Sequence, residues 1–347
     1  MKGALMRALG LLAVAALLLA ACGGDDEEAA STGSGGGGGE SAKKVSIAHF
    51  VAIQANPLEQ VVISESKKTA AENNATVTIF DSNNDVQREI NNCNDAIASQ
   101  KYDAFVLKAV SGPPLMACAR QAIDADIPVV VQGTALGPEQ TTEAQVDGIV
   151  GSVVTLSTTN GTQLADETDA ACKELKKTDA CKVVYLFGPT TFDYAAIVRK
   201  TYMSVLKEKY PYIEIVGQEA ANFDADQAAT KVRQLLQVHK DTNVVANDCD
   251  PCSIASAKVV EDIGRKSDIL LVSSGGQGAA VDAIDAGDIY ATAVIMPKSE
   301  SRTAVEMAIK AVRKEKIDDT SVDASKDLGP SGGIITKENA AEFQAEW

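Results

Sequence analysis

From Val45 onward, short apolar runs alternate with longer segments whose apolar residues are spread among polar ones. The runs Val45–Phe50, Thr76–Phe80, Ala104–Leu107 and Ile127–Gln132 predict strands, and Pro57–Asn73, Val86–Gln100 and Gly112–Ala125 between them predict helices. In the first helix Leu58, Val61, Val62 and Ala70 are among the apolar positions. The strands carry apolar runs rather than clean alternation, so both of their faces are expected to be covered. After a Gly- and Thr-rich crossing from Asp147 to Thr159 the same rhythm restarts. Helices are predicted over Gly161–Lys177, Tyr194–Lys209, Asp226–His239, Ser253–Ile263, Gly278–Ala286 and Glu300–Lys314. Strands are predicted over Val183–Phe187, Ile213–Gln218, Asn243–Asn247, Ile269–Ser273 and Tyr290–Ile295, and a polar tail follows. Strand and helix alternating over short links give α/β lobes, each a doubly wound parallel sheet. Two such series of similar build suggest duplicated lobes, with no short solenoid-type repeat.

The first 43 residues follow another pattern. Lys2 and Arg7 precede the apolar run Leu9–Leu19, which is too short for the ~20 residues of a membrane-spanning helix. A basic start, a short apolar core and small residues at the exit predict a secretory signal over residues 1–21. Leu19-Ala20-Ala21-Cys22 resembles the lipobox of bacterial lipoproteins, which implies lipid on Cys22 and cleavage just before it. Residues 22–43 hold Asp25-Asp26-Glu27-Glu28 and five consecutive glycines, Gly35 to Gly39, and read as a flexible linker. At ~5–6 Å × √n, such a linker spans roughly 25 Å.

Composition narrows the functions. The remaining 326 residues carry about −18, and a chain of this length usually forms two domains. That charge, with no basic, aromatic-rich patch, argues against nucleic-acid partners. Of seven cysteines, Cys22 is assigned to lipid, leaving Cys93, Cys118, Cys172, Cys181, Cys249 and Cys252. An even number outside the cytoplasm favours three disulfides, although six cysteines allow 15 pairings. Metal binding is weakly supported, because His49 and His239 are the only histidines and neither lies near a cysteine.

With these elements in place the chain resembles the type I periplasmic binding proteins of the ribose-binding kind, the solute receptors of ABC importers. The resemblance covers about Val45 to Lys314 and rests on several short matches. These are Asn56-Pro57, Asp81-Ser82-Asn83-Asn84 with Asn91-Asn92, Ile127-Pro128-Val129-Val130, Phe223-Asp224, Ala246-Asn247-Asp248 and Pro297. It implies two lobes joined by a three-strand hinge, with crossings near Gly148–Val153, Ile295–Lys298 and Ser321–Ala324. The N-terminal lobe then takes 44–150 plus 296–321, and the C-terminal lobe 151–295 plus 322–347. It also implies a small polar solute held in the cleft, most readily a sugar or polyol, an ABC permease as partner, and a monomer with no cofactor. The location implied is extracytoplasmic, anchored to the membrane through Cys22.

Open α/β sheets bind ligands beyond the carboxyl ends of their strands. On this fold that places Asn56, Glu59, Lys108 and Gln132 at the cleft from the first lobe. From the second come Phe192, Asp193, Tyr194, Phe223, Asn247, Asp248, Gly275 and Gln277, with Met296 at a crossing. The chain departs from the family's sugar-binding pattern. Gln132-Gly133-Thr134 stands where an Asp-Arg pair is common, Ala195-Ala196 where an Arg is, and Gly275-Gly276 where an Asp is. Leu58 and Glu59 replace two aromatic clamps.

Several residues admit two readings. Lys108 either pairs with an anionic solute or neutralises Glu59 or Asp248. Cys249-Asp250-Pro251-Cys252 at a helix start is either a redox pair or a structural clip, and the clip is the reading adopted. The pairings 93–118, 172–181 and 249–252 are expected. Ser273 to Gly278 lacks the P-loop residues and reads as a tight turn facing the cleft. His49 is expected at the cleft edge or in the core, and His239 in solvent. Nothing brings Asp147, Asp193 and Asp248 together for acid–base work. Alternatives to sugar import are an amino-acid or other small-carboxylate receptor, a sensory receptor, and a thiol oxidoreductase. The export signal and the lack of an N-terminal helix-turn-helix exclude a DNA-binding repressor.

Overall fold

The structure is a computed structural model and describes residues 43–347. The predicted signal, Cys22 and nearly all of the linker lie outside the described residues. The first sheet is built from β1 (Val45–Val51), β2 (Ala75–Asp81), β3 (Ala104–Leu107), β4 (Val129–Gly133), β5 (Gly151–Val154) and β11 (Ser321–Asp323). Their order is β11-β5-β4-β3-β1-β2, and all pairings are parallel. The second sheet holds β6 (Cys181–Phe187), β7 (Ile213–Ala220), β8 (Val244–Asn247), β9 (Leu270–Gly275), β10 (Ala291–Val294) and β12 (Ile334–Thr336). Its order, β12-β10-β9-β8-β6-β7, repeats the first, except that β12 runs antiparallel.

Helices cover both faces of each sheet, which is why the inner strands are largely apolar, while the edge strand β7 carries Glu214, Gln218 and Glu219. In the first lobe α1 (Pro57–Glu72) and α9 (Pro297–Arg313) pack on one face, and α2 (Val86–Ser99) and α3 (Gly112–Asp124) on the other. In the second, α4 (Ser157–Glu174) and α5 (Asp193–Lys209) lie opposite α6 (Ala225–Val238) and α7 (Asp250–Asp262), with α8 (Gly278–Asp285) beside α7. Local chemistry starts the helices. Asn56 caps α1, with Pro57 filling the first turn, while Asp85 caps α2 and Asp224 caps α6 through side-chain oxygens.

The chain crosses between the two sheets three times, the first crossing lying slightly later than expected. β5 pairs with β4 through Val130–Gly151 and with β11 through Ser152–Ser321, so the middle of the Gly- and Thr-rich stretch is a strand of the first sheet. Chain then passes to the second lobe after Val154, returns after Val294, and leaves again after Asp323. Gly151 makes β5 fit, because a Cβ there would lie 2.5 Å from the Met307 sulfur on α9. In the first sheet β5 and β11 extend past the residues 150 and 321 at which the lobes were expected to divide. Helix α4 begins at Ser157, four residues before the expected start, and the tail is not merely polar. β12 and residues after it pack Ile335, Ala340 and Phe343 against Ala280, Ile284 and Met296.

All six expected cysteines pair. Cys93–Cys118 links α2 to α3, Cys172–Cys181 links α4 to β6, and Cys249–Cys252 closes the first turn of α7. No described helix is long and apolar enough to cross a membrane.

Candidate functional site

The two lobes meet through residues that follow their strands. The Ser111 hydroxyl, at the start of α3, donates to Asp193 Oδ2 at the start of α5, 2.7 Å away. The side chains of Gln132 and Asn247, at strand ends of the two sheets, are fully buried.

The first lobe contributes one connected polar cluster. Lys108, just past β3, donates to Glu59 Oε1 in the first turn of α1, and both are buried. Gly133 makes room for this. Its φ is +73°, and a Cβ there would lie 2.6 Å from Lys108 Cε. Gln132 turns its amide to α9, Nε2 donating to Glu300 Oε1 at 3.2 Å, while the Thr155 hydroxyl donates to Glu300 Oε2 at 3.0 Å. Burial raises the Glu300 carboxyl to about 7, against the opposing pull of Lys108 and these hydrogen bonds. His49 on β1 pairs through Nδ1 with Ser66 Oγ at 2.8 Å. Burial, aided by the Lys108 cation, lowers its imidazole to about 3, so it is neutral.

The second lobe supplies a carboxylate shelf and an aromatic edge. Asp248 Oδ2 accepts from the Gly188 N–H at 2.9 Å, and burial raises its carboxyl to about 7. Asn247 Nδ2 donates to Ser253 Oγ at 2.9 Å. Asp250 ties the loop after β9: Oδ1 accepts from the Ser273 and Thr292 hydroxyls at 2.6 and 2.7 Å, and Oδ2 from the Gln277 N–H at 2.7 Å. Phe223 lies edge-to-face with Phe192, whose ring is 6.2 Å from that of Tyr194. Gly188 is needed beneath them, since a Cβ there would lie 2.3 Å from Phe223 Cζ.

Among the buried acceptors left without a partner are three in these clusters: Glu59 Oε2 and Gln132 Oε1 in the first lobe and Asn247 Oδ1 in the second. These oxygens call for donors from whatever the cleft encloses. Lys108, by contrast, is already neutralised by Glu59.

Glu59, Lys108 and Gln132 thus share one neighbourhood, and Phe192, Tyr194 and Phe223 another, while Gly275 and Gln277 sit on Asp250. Asn56 has its Oδ1 committed to the Leu58 N–H at 2.8 Å. Met296 packs in the apolar cluster of Ile284, Ile289 and Ile335. Sequence reading missed Glu300, Thr155 and Asp250. Glu300 and Asp250 each stand in the first turn of a helix after a strand, a usable signal, but the helix start at Pro297 was itself misplaced. Among the described residues no group of three His, Cys, Asp or Glu side chains is placed to hold a metal ion.

A model of the periplasmic binding protein domain matches residues 47–316. The ribose import binding protein RbsB of Bacillus subtilis (strain 168) is 22% identical over 278 residues, covering 80% of this chain and 85% of that protein. A D-apiose import binding protein of Actinobacillus succinogenes is 22% identical over 259 residues, 74% of this chain and 79% of the relative. Among solved structures, an ABC transporter solute binding protein from Bacillus halodurans with bound myo-inositol superposes with a TM-score of 0.72 at 18% identity. The match covers 88% of this chain and 98% of that one. A solute binding protein from Mycobacterium smegmatis with bound glycerol gives a TM-score of 0.68 at 22% identity, over 87% and 98%.

Proposed function

The chain belongs to the periplasmic binding protein domain family, and from that premise we propose that it is an extracytoplasmic receptor that closes on a neutral sugar or polyol and delivers it to an ABC permease. The observation that carries the ligand class is the set of unpartnered buried acceptors on both lobes, Glu59 Oε2 and Gln132 Oε1 on the first and Asn247 Oδ1 on the second. A polyhydroxyl solute brings donors to both lobes and is held only when they close on it, so binding shifts the population to the closed form. The solutes in the names of its relatives, ribose and apiose, are polyhydroxyl compounds of this kind.

A small carboxylate fits less well. Lys108 is spent on Glu59, and the neighbouring carboxyls of Asp248 and Glu300 are already raised by burial. A further buried anion would meet an acceptor-rich site. The redox reading of Cys249 and Cys252 is not favoured either, because the two are paired and buried beneath the cleft loop. We read the protein as a monomeric carrier without chemistry of its own.

A thermal-shift screen of pentoses, hexoses, inositols, glycerol and amino acids tests the ligand class. Stabilisation by a neutral polyhydroxyl compound is expected, about 2.7 kcal/mol at 100 times its dissociation constant. Stabilisation confined to carboxylates overturns the reading. The lipid anchor is a separate proposal: Cys22→Ala should move the protein from the membrane fraction to the soluble one, and retention on the membrane at high salt refutes it.

A further inference from the structure

The last two residues belong to neither set of cleft side chains, yet each grips a different part of the molecule. Glu346 is 9% exposed and lays its carboxylate on the first turn of α9. Its Oε2 accepts from the N–H groups of Lys298 at 2.7 Å and Ser299 at 3.1 Å, and its Oε1 from the Ser299 hydroxyl. A carboxylate on a helix's unsatisfied N–H groups is favourably placed. Trp347 holds the second lobe. Its indole N–H donates to the Gly275 carbonyl at 3.1 Å, and its own carbonyl accepts from the Gly278 N–H at 2.8 Å. Gly275 is what lets the indole in, because a Cβ there would lie 3.1 Å from the ring's Cζ2 and 2.5 Å from Asp250 Oδ2.

The residue after Ser299 is Glu300, which holds Gln132 of the first lobe and Thr155 of the first crossing. One polar chain therefore runs from the cleft loop of β9 through Trp347 and Glu346 to the first turn of α9, and on to the cleft end of β4. It runs beside the second crossing, between Val294 and Pro297, and also touches the first crossing at Thr155.

We propose that the Glu346–Trp347 segment is a clasp that sets the closing equilibrium, so that both residues are positioning residues that tighten solute binding without touching the solute. The proposal rests on the reading of the cleft as one that closes. With the clasp made, the β9 loop and the first turn of α9 move as one piece, and the closed arrangement keeps Gln132 on Glu300. Without it, the second crossing is freer to swing and the open form gains population.

Trp347 is the sole tryptophan of the chain, so its fluorescence reports the clasp directly. The test uses the exported Cys22→Ala protein and its E346A, E346Q and W347F variants. Without solute, E346A should give red-shifted, more readily quenched indole emission and, by X-ray scattering, a larger radius of gyration than the parent. E346Q keeps one accepting oxygen and should fall between them. By calorimetry with D-ribose and with myo-inositol, E346A and W347F should weaken whichever probe the parent binds by about tenfold, the equivalent of ~1.4 kcal/mol. An indole released in E346A with scattering and affinity unchanged overturns the clasp and leaves the receptor reading intact. If the parent binds neither probe, the receptor reading is what is challenged, and the solute-free scattering comparison still decides the clasp. Should E346A fail to fold, E346Q and Ser299→Ala carry the same comparison.

Discussion

Lys108 and Glu59, 49 residues apart in the chain, form a buried ion pair at the cleft end of the first lobe. The pair joins the first turn of α1 to the end of β3, and Gly133 opens the space for it. Its presence takes the one cation of this neighbourhood away from a solute.

Breaking that pair from one side should be costly. Lys108→Met leaves the Glu59 carboxylate buried and uncompensated, an effect of about 3–5 kcal/mol. Replacing both partners, Lys108→Met with Glu59→Leu, should recover most of the loss. Chemical denaturation of the two variants checks this, and equal stability of both would refute a buried pair.

Asn247→Ala should act mainly on binding. It removes the unpartnered Oδ1 and also the bond to Ser253, so it should cost about 1–3 kcal/mol of solute affinity and about 1 kcal/mol of stability. Asn247→Asp keeps the acceptor and should retain more affinity than the alanine variant in calorimetry. If alanine and aspartate behave alike, the Oδ1 atom is not the group that holds the solute.

Stability should fall as pH rises from about 4.5 to 8. Burial raises Glu89 to about 8, opposed by the Val110 N–H, and raises Asp248 and Glu300 to about 7. The unfolded carboxyls release their protons near pH 4 and the folded ones only near 7–8. Across that window the folded state binds more protons, so the stabilisation present below it is lost as pH climbs. His49, lowered to about 3, acts oppositely: below pH ~6.5 the unfolded imidazole gains a proton that the folded one refuses. Melting temperatures should therefore peak in mildly acidic buffer, and Glu89→Gln should flatten the alkaline side. A profile rising from pH 5 to 8 contradicts the assignment.

The disulfides should differ in worth. Cys93–Cys118 closes a 25-residue separation and should contribute about 3 kcal/mol, Cys172–Cys181 less, and Cys249–Cys252 least. Paired Cys→Ala variants measured in denaturant give the order, and non-reducing peptide mapping gives the pairs. Two or more free thiols among the six would remove this account.

The sequence by itself determined the α/β class, the two lobes and nearly every helix and strand, because covering both sheet faces leaves apolar runs that local reading can see. It also placed Lys108, Asn247 and Asp248 at strand ends, where short turns dictate position. Strand β12 escaped it, and β5 and β11 were reached only as hinge crossings implied by the family resemblance, since Gly151–Val154, Ser321–Asp323 and Ile334–Thr336 become strands by pairing with distant partners. Tertiary structure alone decided that Lys108 meets Glu59 rather than Asp248, that Gln132 answers to Glu300, and that Asp250 and Trp347 fill the space Gly275 leaves. Each of these depends on which side chain enters the gap beside a glycine or at a helix start. A glycine in the sequence shows that space exists, and only the packed chain shows what occupies it.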